Sequence, residues 1–174
     1  MFALGATTTD KDNAEDLEIG AKITEACRST YNSTKSGVGP ESFTFNEQGE
    51  THPAVNFYVL RPETVESYFY LWRVTKEQKF RDWAWEAFLA LNTSCRGEFG
   101  FYGLNDVNNP SNPRDPQESF FMSETLKYLY LSFTSDDVIS LDEWVFNTEA
   151  HPIHVYDQPE SQWFSLFSEF ENKK

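Results

Sequence analysis

The sequence predicts an all-α protein with a β-hairpin. Apolar residues recur at helical spacing over several long stretches, one stretch near residues 43–60 alternates in strand fashion, and no strand–helix–strand alternation occurs. The 174 residues amount to about one domain. Lys plus Arg number 14 and Asp plus Glu 28, a net charge of −14. Nucleic acid and anionic membranes are poor partners for such a charge, and neutral polar ligands or cations are better ones. Aromatic residues make up 17 %, with 16 Phe, 8 Tyr and 5 Trp. Rings fill cores, and they also form platforms for sugar rings.

The first helix is expected over about residues 11–30, after the N-cap candidates Thr7-Thr8-Thr9-Asp10. Ile19, Ile23, Cys27 and Tyr31 fall four apart and define its core stripe. Asp12, Glu15, Asp16 and Glu18 crowd its first turns, as the helix dipole favours. After a polar loop at residues 32–40, residues 41–46 and 55–60 read as two strands around the turn Glu47-Gln48-Gly49-Glu50. A second helix is expected from Pro62 to about residue 74, with Val65, Phe69 and Trp72 inward. A third runs over about residues 76–94, with Phe80, Trp83, Ala87 and Leu91 at helical spacing. The short link between them predicts an antiparallel pair. Residues 95–113, rich in Gly, Asn and Pro, read as a long surface loop without the EF-hand pattern. A fourth helix is expected over about residues 117–133, with Phe121, Met122, Leu126, Leu129 and Phe133 as its stripe. Phe120 and Glu124 then share a different face, by default a surface pair. Residues 144–146 suggest a short strand, and residues 160–170 an amphipathic tail.

Several chemistries find no support. No apolar run reaches the length of a transmembrane helix, and the stretch Met1-Phe2-Ala3-Leu4-Gly5-Ala6 is too short and uncharged for a signal peptide. Neither a Gly-rich phosphate loop nor a Ser-His-Asp order occurs. His151 and His154 lack a third zinc ligand. Cys27 and Cys95 fit no metal spacing; they could pair with each other, pair with cysteines elsewhere, or remain thiols. Asn32-Ser33-Thr34 and Asn92-Thr93-Ser94 are N-glycosylation acceptor patterns. There remains a set of acids beside aromatics: Glu41, Glu63, Glu66, Glu124 and Glu149. In Leu60-Arg61-Pro62-Glu63-Thr64-Val65-Glu66-Ser67, Pro62 opens a helix and Glu63 and Glu66 project from nearly one face. That placement suits either a charged cap or a site.

Three blocks carry a resemblance. They are Leu60 to Ser67, then Glu118-Ser119-Phe120-Phe121-Met122-Ser123-Glu124-Thr125-Leu126-Lys127-Tyr128-Leu129-Tyr130-Leu131, and Val145-Phe146-Asn147-Thr148-Glu149-Ala150-His151-Pro152. In this order and spacing they resemble the C-terminal part of the class I α-1,2-mannosidases, glycoside hydrolase family 47, most of all the fungal type. The resemblance implies a partial (α/α)7 barrel, in which residues 1–174 form one partial domain carrying the last helices. The hairpin would plug one end of the barrel. It implies calcium-dependent, inverting removal of α-1,2-linked mannose from high-mannose N-glycans on glycoproteins. It also implies a setting in the secretory pathway or outside the cell; no oligomer is implied.

By the same resemblance Glu63 matches the general base. Arg61, Pro62, Glu66, Glu41, Phe120, Glu124 and Glu149 match sugar-contacting or site positions, with Phe120 under the sugar. Thr148 matches the residue that binds Ca2+ through its hydroxyl and carbonyl. The family's general acid and the disulfide partner of Cys27 fall in motifs upstream of Met1. The missing N-terminal part of the barrel is therefore an expected partner, and this piece alone is expected to be inactive. A non-catalytic mannose-binding module of glycoprotein quality control is the alternative expectation.

Overall fold

The computed structural model describes residues 11–155. The N-cap candidates at residues 7–10 and the tail at residues 160–170 lie outside the described residues. The chain forms two compact units, Met1–Ser135 and Asp136–Lys174.

The first unit begins with α1, Lys11–Asn32. Only the C-terminal half of its expected stripe is covered. Tyr31 is buried and Cys27 half-buried, whereas Ile19 and Ile23 are exposed. Thr24 and Thr30 are buried instead, because each hydroxyl donates to its own helix, Thr24 to the Gly20 carbonyl at 2.8 Å and Thr30 to the Cys27 carbonyl at 2.7 Å. Gly39 then passes so close that a Cβ there would lie 2.3 Å from the Tyr31 ring. Only a glycine lets Gly39-Pro40-Glu41 run against α1.

Strands β1, Ser42–Phe45, and β2, Thr51–Val55, pair antiparallel. Asn46 fixes their turn by accepting from the Gln48 and Glu50 amides at 3.0 and 2.8 Å. The returning strand thus precedes the expected residues 55–60. The chain beyond β2 leaves the hairpin, and Tyr58 exchanges two backbone bonds with Leu104, at 2.8 and 2.9 Å. A Cβ on Gly103 would sit 2.3 Å from the Tyr58 carbonyl oxygen, so this pairing requires glycine. The expected surface loop is therefore partly interior. Leu104 and Val107 are fully buried, and β3, Gly103–Leu104, pairs with β4, Pro113–Arg114. Backbone pairing with Tyr58 overrode the loop-like composition.

Helices α2, Glu63–Thr75, and α3, Gln78–Ser94, form the expected antiparallel pair. Tyr68 meets Trp83 at 5.7 Å between ring centroids, while Arg81 lies over the ring of Trp72 at 4.9 Å. Lys76, at φ 57, closes α2 by donating its amide to the Trp72 carbonyl. Val65, Phe69, Leu71, Phe80, Ala84, Ala87 and Leu91 form the core between them.

The fourth helical segment differs most from expectation. It starts at Phe120, not residue 117, with a π-helical turn over Phe121–Thr125 before α4, Leu126–Ser132. The wider turn rotates the face that α4 presents. Met122 and Phe133 from the expected stripe are exposed, while Tyr128 and Leu131 are buried. Glu124, expected in a surface pair, is buried, and so is Thr125. The Tyr128 ring packs on Phe69 at 5.4 Å, tying α4 to α2.

In the second unit β5, Trp144–Phe146, pairs antiparallel with β6, Pro152–His154. Trp144 and His154 meet edge to face at 4.8 Å.

Candidate functional site

The Arg61 to Glu66 segment is built by its flanks. Tyr58 is clamped to Leu104, and Pro62 occupies the N-cap of α2, where its carbonyl accepts from the Glu66 amide at 2.8 Å. Between them Leu60 turns the chain through a left-handed conformation, φ 64, with its side chain fully buried. A non-glycine residue there is strained, and such strain gathers at sites where the surroundings fix it. The Leu60 carbonyl accepts the Thr125 hydroxyl at 2.7 Å, inside the protein. Arg61 and Glu63 emerge exposed, whereas Pro62 is buried.

Arg61 and Glu41 form a forked pair. Arg61 Nε donates to Glu41 Oε1 and Oε2 at 2.9 and 2.8 Å, and Nη2 donates to Oε1 at 2.6 Å. Guanidinium geometry suits this arrangement, and it fixes both planes. Glu41, Arg61 and Glu63 line one cavity of about 380 Å³ together with Cys27, Tyr31 and Tyr58. Burial raises the Tyr31 hydroxyl to about 12, against lowering hydrogen bonds from Thr64 and Tyr58. Burial pushes Tyr58 well above its ordinary value. The two phenols beneath the acids therefore stay neutral and serve as hydrogen-bonding groups. Burial also raises the Cys27 thiol, which argues against a nucleophile there. Cys95 is buried, its thiol raised to about 12, and it is not joined to Cys27.

Glu66, one turn along α2, faces a different neighbour. Tyr128 donates its hydroxyl to Glu66 Oε1 at 3.2 Å. Burial raises the Glu66 carboxyl above its ordinary value, and the Tyr128 bond opposes that rise. Phe120 is half-exposed at the start of the π-helical turn that carries Glu124. Among the described residues Glu66, Phe120 and Glu124 are not part of the lining of the Glu63 cavity.

Thr148 and Glu149 lie in the second unit, on the turn between β5 and β6. Asn147 holds that turn: its side-chain oxygen accepts from the Glu149 amide at 3.0 Å and the His151 amide at 2.9 Å. The Ala150 amide returns to the Asn147 carbonyl at 3.0 Å, and Ala150 is left-handed, φ 53. Both Thr148 and Glu149 are exposed. Neither the hydroxyl nor the carbonyl of Thr148 has a partner among the described residues. Two unpaired oxygens on a fixed turn suit a hard cation that takes oxygen ligands and waters. No cluster of three His, Cys, Asp or Glu able to hold a metal occurs among the described residues.

Sequence reasoning missed Tyr58, Thr125 and Tyr128 as site supports. The only signal for Tyr128 is its place four residues beyond Glu124; nothing marks Thr125.

The sequence profile described as Glycosyl hydrolase family 47 matches residues 1–155. Over 160 residues the chain is 51 % identical to mannosyl-oligosaccharide 1,2-alpha-mannosidase IB of Mus musculus, covering 89 % of this chain and 25 % of that protein. It is 49 % identical over 160 residues to mannosyl-oligosaccharide alpha-1,2-mannosidase IA of Drosophila melanogaster, covering 89 % of this chain and 24 % of that protein. The chain thus spans about a quarter of the length of the curated relatives it matches. Among solved structures, the alpha-1,2-mannosidase from Trichoderma reesei superposes with a TM-score of 0.76 at 34 % identity, over 83 % of this chain and 35 % of that one.

Proposed function

The chain belongs to glycosyl hydrolase family 47, and on that premise we propose that it forms part of the (α/α)7 barrel of an inverting 1,2-α-mannosidase. Its substrate is the α-1,2-linked mannose of high-mannose N-glycans on glycoproteins, and its setting is the secretory pathway or the cell exterior. The observation that carries this reading is the shared cavity of Glu41, Arg61 and Glu63 at the start of α2, floored by two neutral phenols.

Inversion needs a base that activates water on one face of the sugar and an acid at the leaving oxygen on the other. Glu63 takes the proton from the water. Arg61, fixed by its fork to Glu41, presents its remaining guanidinium protons to sugar hydroxyls. Glu66, held by Tyr128, and Glu124, held in the π-helical turn, accept from further hydroxyls. Phe120 offers a ring face to the pyranose. Glu149 stands beside Thr148, whose hydroxyl and carbonyl would hold Ca2+. When bound, calcium supplies a hard positive centre for sugar and water oxygens. No residue of this chain is assigned the general acid.

The test is release of mannose from an α-1,2-linked mannobiose by the full-length protein carrying this chain, with calcium present. The expected first-formed product is β-mannose, read by proton NMR. Glycan binding without release would sink the enzyme reading and leave the non-catalytic module.

A further inference from the structure

Two contacts, one buried and one partly buried, join the π-helical turn and α4 to the segment around Glu63. The Thr125 hydroxyl donates to the Leu60 carbonyl at 2.7 Å, and the Tyr128 hydroxyl donates to Glu66 Oε1 at 3.2 Å. Thr125 and Leu60 are both fully buried. Leu60 holds a left-handed backbone without being glycine, one residue before the Arg61 fork and three before Glu63. Its amide side is fixed through Tyr58 and Leu104, and its far side by the Pro62 N-cap. The Leu60 carbonyl lies between those two anchors, in the peptide that leads into Arg61. A peptide that flips to the extended region turns this carbonyl away and swings the next residue with it.

We propose that Thr125 is a positioning residue for catalysis: its hydroxyl locks the Leu60 carbonyl, and the locked peptide aims Arg61 and Glu63 into their cavity. The π-helical turn supplies the reason for its own geometry. Its last residue is Thr125, so the wide turn brings this hydroxyl inward beside Glu124. A valine fills the same space but offers no hydrogen, which leaves the Leu60 carbonyl buried without its partner. Tyr128 acts in parallel on Glu66, so the two acids of α2 are steered from one neighbouring segment. Thr125 acts through Leu60 and not on the sugar.

This inference rests on the mannosidase reading, so its test begins from wild-type full-length protein that releases mannose. Thr125→Val should lower kcat by about tenfold, with KM changed less than kcat. Thr125→Ser should restore kcat because the oxygen returns. Ser132→Ala is the control: it removes another buried hydroxyl, one that donates to the Tyr128 carbonyl at 2.8 Å, and should lower the melting temperature while keeping kcat. If the valine variant does not fold, Thr125→Ala replaces it, with serine again as the reference. Wild-type kcat in the valine or alanine variant overturns the proposal. So does a kcat loss in Ser132→Ala equal to theirs, or a serine variant as slow as valine. A wild-type protein that releases no mannose instead overturns the reading on which the proposal rests.

Discussion

The Arg61–Glu66 segment and the Asn147–Ala150 turn both present an acid beside a neutral polar group, but they are held in opposite ways. The first depends on distant chain. Tyr58 pairs with Leu104, Leu60 is bonded by Thr125, Arg61 by Glu41 and Glu66 by Tyr128. The second is held by its own residues, with Asn147 gathering the amides of Glu149 and His151. A segment fixed from afar can hold a strained residue and a half-buried acid, because its surroundings supply the restraint. A self-contained turn stays exposed and leaves oxygens unpaired. The first arrangement suits orientation of reacting groups, the second capture of an ion from solvent.

Removing the proposed base should break the comparison most. Glu63→Gln should lower turnover by about a thousandfold while glycan affinity is largely kept, because only the proton acceptor is lost. Turnover within a few-fold of wild type would refute the role of Glu63. The reciprocal change is Thr148→Ala, which should raise the calcium concentration for half-maximal activity by at least about tenfold. Activity at saturating calcium should recover more fully than in the Glu63 variant. An unchanged calcium curve would remove Thr148 from the ligand set.

A smaller effect sharpens the contrast in burial. Burial raises the Glu66 carboxyl above its ordinary value, so the folded state disfavours its ionised form. A raised group contributes stability that is present below its unfolded value and lost as pH rises through the folded one. Glutamine does not ionise and keeps the oxygen that Tyr128 uses. Glu66→Gln should therefore unfold at higher denaturant at pH 7, the gain fading as pH falls below the carboxylate range. A gain independent of pH would show that ionisation is not its cause.

The same contrast explains which features could be read from sequence. Local rules found the short strand at residues 144–146, Pro62 as a helix start, and α2 and α3 from their apolar spacing. They placed Glu63 and Glu66 on one helix, one turn apart. They failed where distant contacts decide. Leucine carries no signature of a left-handed backbone, so Leu60 was invisible. A stripe drawn at ordinary α-helical spacing cannot anticipate a π-helical turn, which is why Met122 and Phe133 are outside and Glu124 inside. The Gly- and Asn-rich composition of residues 95–113 hid Leu104 and Val107, which are buried by pairing and packing. The roles expected of Glu63, Glu66, Glu124 and Glu149 came from the three motif blocks as a set, since each acid alone reads as a cap or a surface charge.

The bridge between Tyr58 and Leu104 also has a meaning in time. Helices α2 and α3 are joined by a short link and can meet early, as local contacts do. Tyr58 and Leu104 must close a loop that contains both helices, and such closure costs chain entropy before it gains contacts. On that ground the wall of the Glu63 cavity that Tyr58 provides is expected to form after the helical pair. Amide hydrogen exchange should read this order in reverse, with Tyr58 and Leu104 opening more readily than Leu71 within α2. Equal protection at all three would mean that the bridge and the helices form as one unit.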